Sequence, residues 1–114
     1  MEKTLIIGAS GGIGALEGPF NGIIVASGAL EIDGAEPEKT IKAVTARAMA
    51  DQFAVNAIGP ALVLRHAARL LPREGRSICA VLTARVGSIG DNRIGGWTSY
   101  RAAKAAANQI VHTT

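Results

Sequence analysis

Three short apolar runs and two longer stretches of helical periodicity organise the chain. The runs KTLIIGA (3–9), NGIIVASG (21–28) and RSICAVLTA (76–84) are each bounded by glycine or polar residues. Continuous apolar segments of this length, without alternation, predict buried strands, as in a parallel sheet. Between the second and third runs, Ile41, Val44, Ala48, Met49, Val55, Ile58 and Leu62 recur at helical spacing. Pro37 suits a first helical turn, so the spacing predicts one long helix over about 37–71. The stretch SYRAAKAAANQIV, from Ser99, is rich in alanine and predicts a final helix over 99–114. Strands alternating with helices predict an α/β fold with a parallel sheet of about three strands.

Composition narrows what such a fold is made from. The 114 residues form a single domain, 48% hydrophobic but only 4% aromatic, so the core has to be built from Ala, Ile, Leu and Val. A formal charge of +3 comes from scattered Lys and Arg, with no basic run interleaved with aromatics, so nucleic-acid binding is not expected. Cys79 is the one cysteine and sits in the apolar run SICAVL; a buried structural thiol and a cytoplasmic location are the expectations. The apolar runs are too short to cross a bilayer, and Glu2 and Lys3 precede only a brief apolar stretch, so neither a membrane anchor nor a signal peptide is expected. His66 and His112 have no partners at ligand spacing, and no metal site is expected.

Candidate chemistry lies at three places. Gly8, Gly12 and Gly14, with Ser10 and Ile13 among them, follow the first predicted strand. Glycines there let backbone N–H groups and a helix N-terminus receive a pyrophosphate, although a purely structural glycine turn explains them equally well. Asp33 falls at about the distance where such a turn expects a ribose-binding acid, but it lies in the turn sequence EIDGAEP and is not assigned that role. Tyr100 and Lys104, four apart on a predicted helix, share a face, and an ammonium beside a phenol favours the phenolate. Such a pair suits acid–base work on a carbonyl or alcohol, although an exposed Tyr and Lys are commonplace on helices. Asn56 lies four residues before Pro60, which has no N–H for the Asn56 carbonyl, so a kink is expected there with an oriented carbonyl left for water.

In this order, the motifs resemble the short-chain dehydrogenase/reductase family. GASGGIG resembles its TGxxxGIG cofactor turn with Ile7 in place of the threonine, and ASGAL (26–30) resembles the segment after its fourth strand. FAVNAIGPALVL resembles its asparagine-bearing helix, and SYRAAKAA matches its YxxxK signature. The resemblance implies a truncated Rossmann-like three-layer fold and an NAD(P)-dependent oxidoreductase acting on a small carbonyl or alcohol. Tyr100 would be the general acid/base and Lys104 its electrostatic partner, also holding the nicotinamide ribose. Asn56 would anchor a proton-relay water through its backbone. Gly8, Ser10, Gly12, Ile13, Gly14, Ser27, Gly28 and Lys104 would contact the cofactor. The family's catalytic serine has three candidate positions here: Thr83, Ala84 and Ser88. Strand alignment favours Ala84; counting back from Tyr100 favours Ser88, which is chosen, although a Gly-Ser loop turn accounts for Ser88 equally well. Trp97 could wall a substrate pocket, but core packing is the safer assignment.

The chain departs from that pattern after the glycines. Only ALEGPFN separates Gly14 from Gly22, and Gly18-Pro19 limits any helix there to a stub. A parallel crossover needs a dozen or more residues, so the connection is expected to be strained, inviting exchange of segments between protomers. The family places its adenosine-holding elements in that gap, and it continues beyond a final helix such as the one ending at Thr114. Both the cofactor pocket and the substrate pocket are therefore expected to be incomplete. With about three strands, in the order first, second, third, both sheet faces should be only partly covered and apolar helix surface should remain exposed, so a homodimer through 37–71 and 99–114 is expected. Two functional readings follow: an oxidoreductase, or a catalytically silent remnant acting as a dimerising or binding module.

Overall fold

A computed structural model describes residues 3–8 and 18–114. Its elements are β1 (Thr4–Ile7), β2 (Gly22–Val25), α1 (Ala46–Phe53), a π-helical turn (Ala54–Ile58), α2 (Gly59–Leu64), α3 (Ala67–Leu70), β3 (Ile78–Val81) and α4 (Thr98–Thr113). Two 3-10 turns, Ile41–Ala43 and Arg85–Gly87, precede α1 and α4.

The three strands form one parallel sheet in the order β1-β2-β3. The link between β1 and β2 has 14 residues, 8–21, which meets the dozen or more that a parallel crossover needs. In a doubly wound sheet of order 3-2-1-4-5-6, strands 2 and 3 lie beyond strand 1, on the side away from strand 4. By the resemblance, β1, β2 and β3 correspond to strands 1, 4 and 5 of such a sheet. Omitting 2 and 3 removes one edge of the sheet and opens no gap inside it. β1 and β2 pair within one chain, Thr4 with Gly22 through Ile7 with Val25, so the pairing does not require a second copy.

The end of the link is held against α3 and β1. Phe20 N–H donates to the Leu70 carbonyl at 2.6 Å, using an acceptor that a helix end leaves without an intrahelical partner. Asn21 N–H donates to Lys3 O at 2.8 Å, and Lys3 N–H returns to the Asn21 side-chain oxygen at 3.2 Å. A Cβ on Gly18 would lie 2.6 Å from the Leu70 carbonyl oxygen, so the backbones meet there only because residue 18 has no side chain.

Register and alternation divide the sheet into two unlike faces. The cross-strand rows Leu5–Ile23–Cys79 and Ile7–Val25–Val81 join Val63, Leu70, Phe20 and Leu71 in the core, with Ile23, Val25 and Leu70 fully buried. Ile6, Ile78 and Leu82 are more than half exposed. The partial cover of the sheet expected from so few strands is seen at these positions. The crossover from β2 to β3 supplies helices to one face, whereas covering the other falls to the helices that follow strands 1 and 2 of a full doubly wound sheet. Cys79 is half-buried in the core row, and burial pushes its thiol pKa up, as befits a structural thiol.

The long helix also differs from its predicted span. It starts at Ala46, where the Thr45 hydroxyl accepts Ala48 N–H at 3.1 Å as an N-cap, and residues 37–40 are irregular. Near Pro60, where a kink is expected, the chain forms the π-helical turn, in which Gly59 N–H reaches Ala54 O, five residues back. A proline lacking its N–H is accommodated by this local rewinding, and the helix runs on to Leu64. Ala57, Ala103 and Ala107 are buried, small enough to let α4 lie close to the π turn. Among the described residues, no helix is long and apolar enough to cross a membrane.

Candidate functional site

In open parallel sheets the ligand crevice lies beyond the carboxyl ends of the strands, where the chain diverges to either side. Here that region is reached by Gly8 after β1, by residues 26–30 after β2, and by side chains of the π turn and α4. The π turn contributes Asn56, which is fully buried. Its Nδ2 donates to Ala29 O at 2.9 Å and its Oδ1 accepts Ala29 N–H at 3.1 Å, so one amide reads both backbone groups of Ala29. Gln52, one turn earlier and also buried, accepts from Asn56 Nδ2 at 2.7 Å and donates to Leu30 O at 2.7 Å. Two side-chain amides thus fix the loop after β2.

Sequence reasoning gave Asn56 a role only through its backbone and missed Gln52. An amide pair at i and i+4 on a largely apolar helical segment was the available signal.

Gly28 lies where this loop meets α4. A Cβ there would stand 3.0 Å from Lys104 Nζ and 3.1 Å from Asn56 Oδ1, so Asn56, through its side chain rather than its backbone, converges with Gly28 and Lys104. Lys104 is 5% exposed, and its Nζ lies 5.7 Å from the centre of the Tyr100 ring, within cation–π range. Burial pushes the Lys104 pKa down. A base whose folded-state pKa is depressed is a site at which the unfolded chain binds more protons across the interval between the two values. Folding therefore gains stability as pH rises through that interval toward the ordinary lysine value of about 10.4. Urea unfolding of wild type and Lys104→Met over a pH series should show their difference moving in favour of wild type as pH rises. A difference independent of pH would refute this.

Tyr100 meets Trp97 edge-on, with ring centres 6.3 Å apart and planes at 78°. Trp97 is 38% exposed and sits in the left-handed region (φ 55°) immediately before α4. It packs on Tyr100 and also shows surface, so neither of its sequence-based assignments describes it fully. The Ser99 N–H and hydroxyl both donate to the Glu38 carboxylate, a contact that sequence reasoning did not foresee. Burial works against ionisation of Glu38, but the hydrogen bonds from Ser99 prevail and hold the carboxyl below its usual range.

The remaining candidates are dispersed. Ser88 is exposed at the end of the 85–87 turn, where its hydroxyl accepts Asp91 N–H at 3.2 Å. With Ile89, Asn92, Arg101 and Ala105 it lines a groove of about 380 Å³. Thr83 is exposed and Ala84 half-buried in the extended segment before that turn. Gly87, rather than Ser88, abuts Lys104: a Cβ on it would lie 3.0 Å from Lys104 Cβ. Ser27 is half-buried in the loop after β2. Ser10, Gly12, Ile13 and Gly14 lie outside the described residues. Asp33, with φ 50° before Gly34, is exposed in a tight turn and keeps its local role.

Comparison with known proteins points in one direction. No protein-family model matches the chain. Over 59 residues, 52% of this chain, it is 46% identical to 1-hydroxy-2-glutathionyl-2-methyl-3-butene dehydrogenase from Rhodococcus sp. strain AD45, of which the match spans 25%. A crystal structure assigned as a short-chain alcohol dehydrogenase from Burkholderia multivorans aligns with a TM-score of 0.72 and 31% identity, covering 84% of this chain and 41% of its own. A short-chain dehydrogenase/reductase from the same organism with bound NADP aligns with the same TM-score and identity over 39% of its length. Carbonyl reductase Sniffer of Drosophila melanogaster shares the fold, with a TM-score of 0.71 at 22% identity. The chain spans about two fifths of the length of these solved structures.

Proposed function

Since the chain belongs to the short-chain dehydrogenase/reductase family and has its oxidoreductase fold, we propose that it acts as an NAD(P)-dependent oxidoreductase on a small carbonyl or alcohol. The observation that carries this reading is the convergence of Lys104 Nζ and Asn56 Oδ1 on the space above Gly28, with the Tyr100 ring beside Lys104.

Those residues fit the nicotinamide-ribose end of a dinucleotide. Lys104 offers N–H donors to ribose hydroxyls, and Gly28, having no side chain, leaves room for the Lys104 ammonium and the Asn56 amide to meet over the backbone. A bound nicotinamide would supply the hydride donor or acceptor. Tyr100 carries the proton to or from the substrate oxygen, and Lys104 stabilises the phenolate so formed. Asn56 and Gln52 hold residues 29–30 in place against the site. The adenosine end has few residues to hold it, because only ALEGPFN separates Gly14 from Gly22. We therefore expect weak nucleotide binding. Remote binding energy normally serves to orient the reacting groups, so its loss should also lower turnover.

A second reading, a silent dimerising or binding module, is favoured by apolar side chains on helical surface. Ile58 and Leu62 are each 52% exposed and Val111 is 41% exposed, and we propose a homodimer through helices within 37–71 and 99–114. Calorimetric titration with NADPH and NADH tests the first reading: binding in the high micromolar to millimolar range is expected, and no binding of either at millimolar concentration overturns it. Sedimentation tests the second contact, since a protein that remains monomeric at micromolar concentration does not dimerise as proposed.

A further inference from the structure

Glu38 is a buried carboxylate to which the catalytic reading gives no part. It is 8% exposed, and its partners lie 61 residues away at the start of α4. Ser99 N–H donates to Oε1 at 3.2 Å and the Ser99 hydroxyl donates to Oε2. The main chain makes a further bond: Trp97 N–H donates to the Glu38 carbonyl at 2.5 Å. A Cβ on Gly96 would stand 3.4 Å from Lys39 O, so the two backbones run in contact.

This arrangement does more than cap a helix. Trp97, at the N-cap position, has no side-chain capping bond, and Glu38 supplies what the local sequence lacks. A neighbouring Ser or Asp would cap at a smaller desolvation cost than a carboxylate brought from another segment. What the distant residue adds is position, because it fixes where α4 begins relative to the loop after β2. Trp97 is held in the left-handed region, which is unfavourable for a large side chain, while its ring lies edge-on to Tyr100. From the other side, Arg101 donates to Gly96 O at 2.8 Å and Gly95 O at 3.2 Å. The turn before α4 is thus gripped from two directions, next to Tyr100 and two helical turns from Lys104.

We propose that Glu38 is a positioning residue: by fixing the start of α4 through Ser99 and Trp97, it sets the direction of the Tyr100 ring toward Lys104 and against Trp97. The proposal rests on the reading of Tyr100 as the acid/base group, but its test does not use turnover. The chain has one Trp and one Tyr, so near-ultraviolet circular dichroism reports chiefly on that ring pair. Glu38→Ala should lose at least half of the Trp97 band. It should also speed hydrogen exchange at the Arg101 amide, which bonds to Trp97 O, at least tenfold relative to Ile24 and Val25 in β2. Glu38→Gln, whose amide can accept Ser99 N–H and donate to the Ser99 oxygen, should restore both. If Glu38→Ala does not fold, Ser99→Ala removes one bond and carries the same test. An unchanged band, equal acceleration throughout the chain, or no restoration by glutamine would overturn the proposal. A failure of the catalytic reading would appear separately, as Tyr100-independent turnover with these signals intact.

Discussion

Asn56→Ala should lower folding stability by roughly 3 kcal/mol, a large share of what holds a domain of this size together. The substitution removes an acceptor from Ala29 N–H, a donor from Ala29 O and a donor from Gln52 Oε1. Asn56 is fully buried and Gln52 nearly so, so little water can replace those bonds without the pocket opening. Each orphaned buried polar group costs about 1–3 kcal/mol, and half-buried Ala29 belongs at the lower end. Asn56→Asp separates the two sides of the amide. Ionised, it keeps an acceptor for Ala29 N–H but sets a carboxylate against Ala29 O and Gln52 Oε1, so it should be at least as destabilised at neutral pH. Lowering the pH restores one donor by protonation and should narrow its deficit. Urea midpoints for the three proteins decide the matter, and an alanine variant within about 0.5 kcal/mol of wild type would show that the clamp contributes no more than a typical surface position.

That clamp also marks where sequence reading succeeded and where it stopped. The apolar runs correctly predicted three parallel strands, and the Asn56–Pro60 spacing correctly placed a distortion in the long helix. Both are local consequences of residue type, legible without tertiary knowledge. The start of the helix was misplaced because Pro37 is a permissive signal, whereas Thr45 supplies the capping bond. Glu38 was invisible, and Gln52 went unread despite the amide spacing, for a different reason. Each is a polar residue whose meaning depends on a partner far along the chain, Ser99 in one case and Leu30 in the other. The partly covered sheet followed from the strand count rather than from the apolar runs, which read as buried strands whether or not the covering helices are present. The strained-link argument counted only the residues after Gly14, whereas the 14 residues between Ile7 and Gly22 suffice for a crossover between parallel neighbours.

For catalysis the decisive variant is Tyr100→Phe, for which turnover should fall by about 10²–10⁴ while nucleotide affinity stays within twofold. The expectation follows from how little the change removes. Phenylalanine keeps the ring that meets Trp97 edge-on and lies 5.7 Å from Lys104 Nζ, so packing and the cation–π contact survive. Only the hydroxyl is lost, and with it the group that would carry a proton to the substrate oxygen. Stability should change by less than about 0.5 kcal/mol, because no described hydrogen bond uses that hydroxyl and the ring is only half-buried. Steady-state rates with NADPH and a small aldehyde, measured beside calorimetric nucleotide binding, separate the outcomes. A variant that keeps turnover within tenfold of wild type would remove Tyr100 from the chemistry. If wild type binds nucleotide but turns over no faster than Tyr100→Phe, the silent-module reading prevails, and the Asn56–Gly28–Lys104 cradle persists as a binding feature that has outlived its reaction.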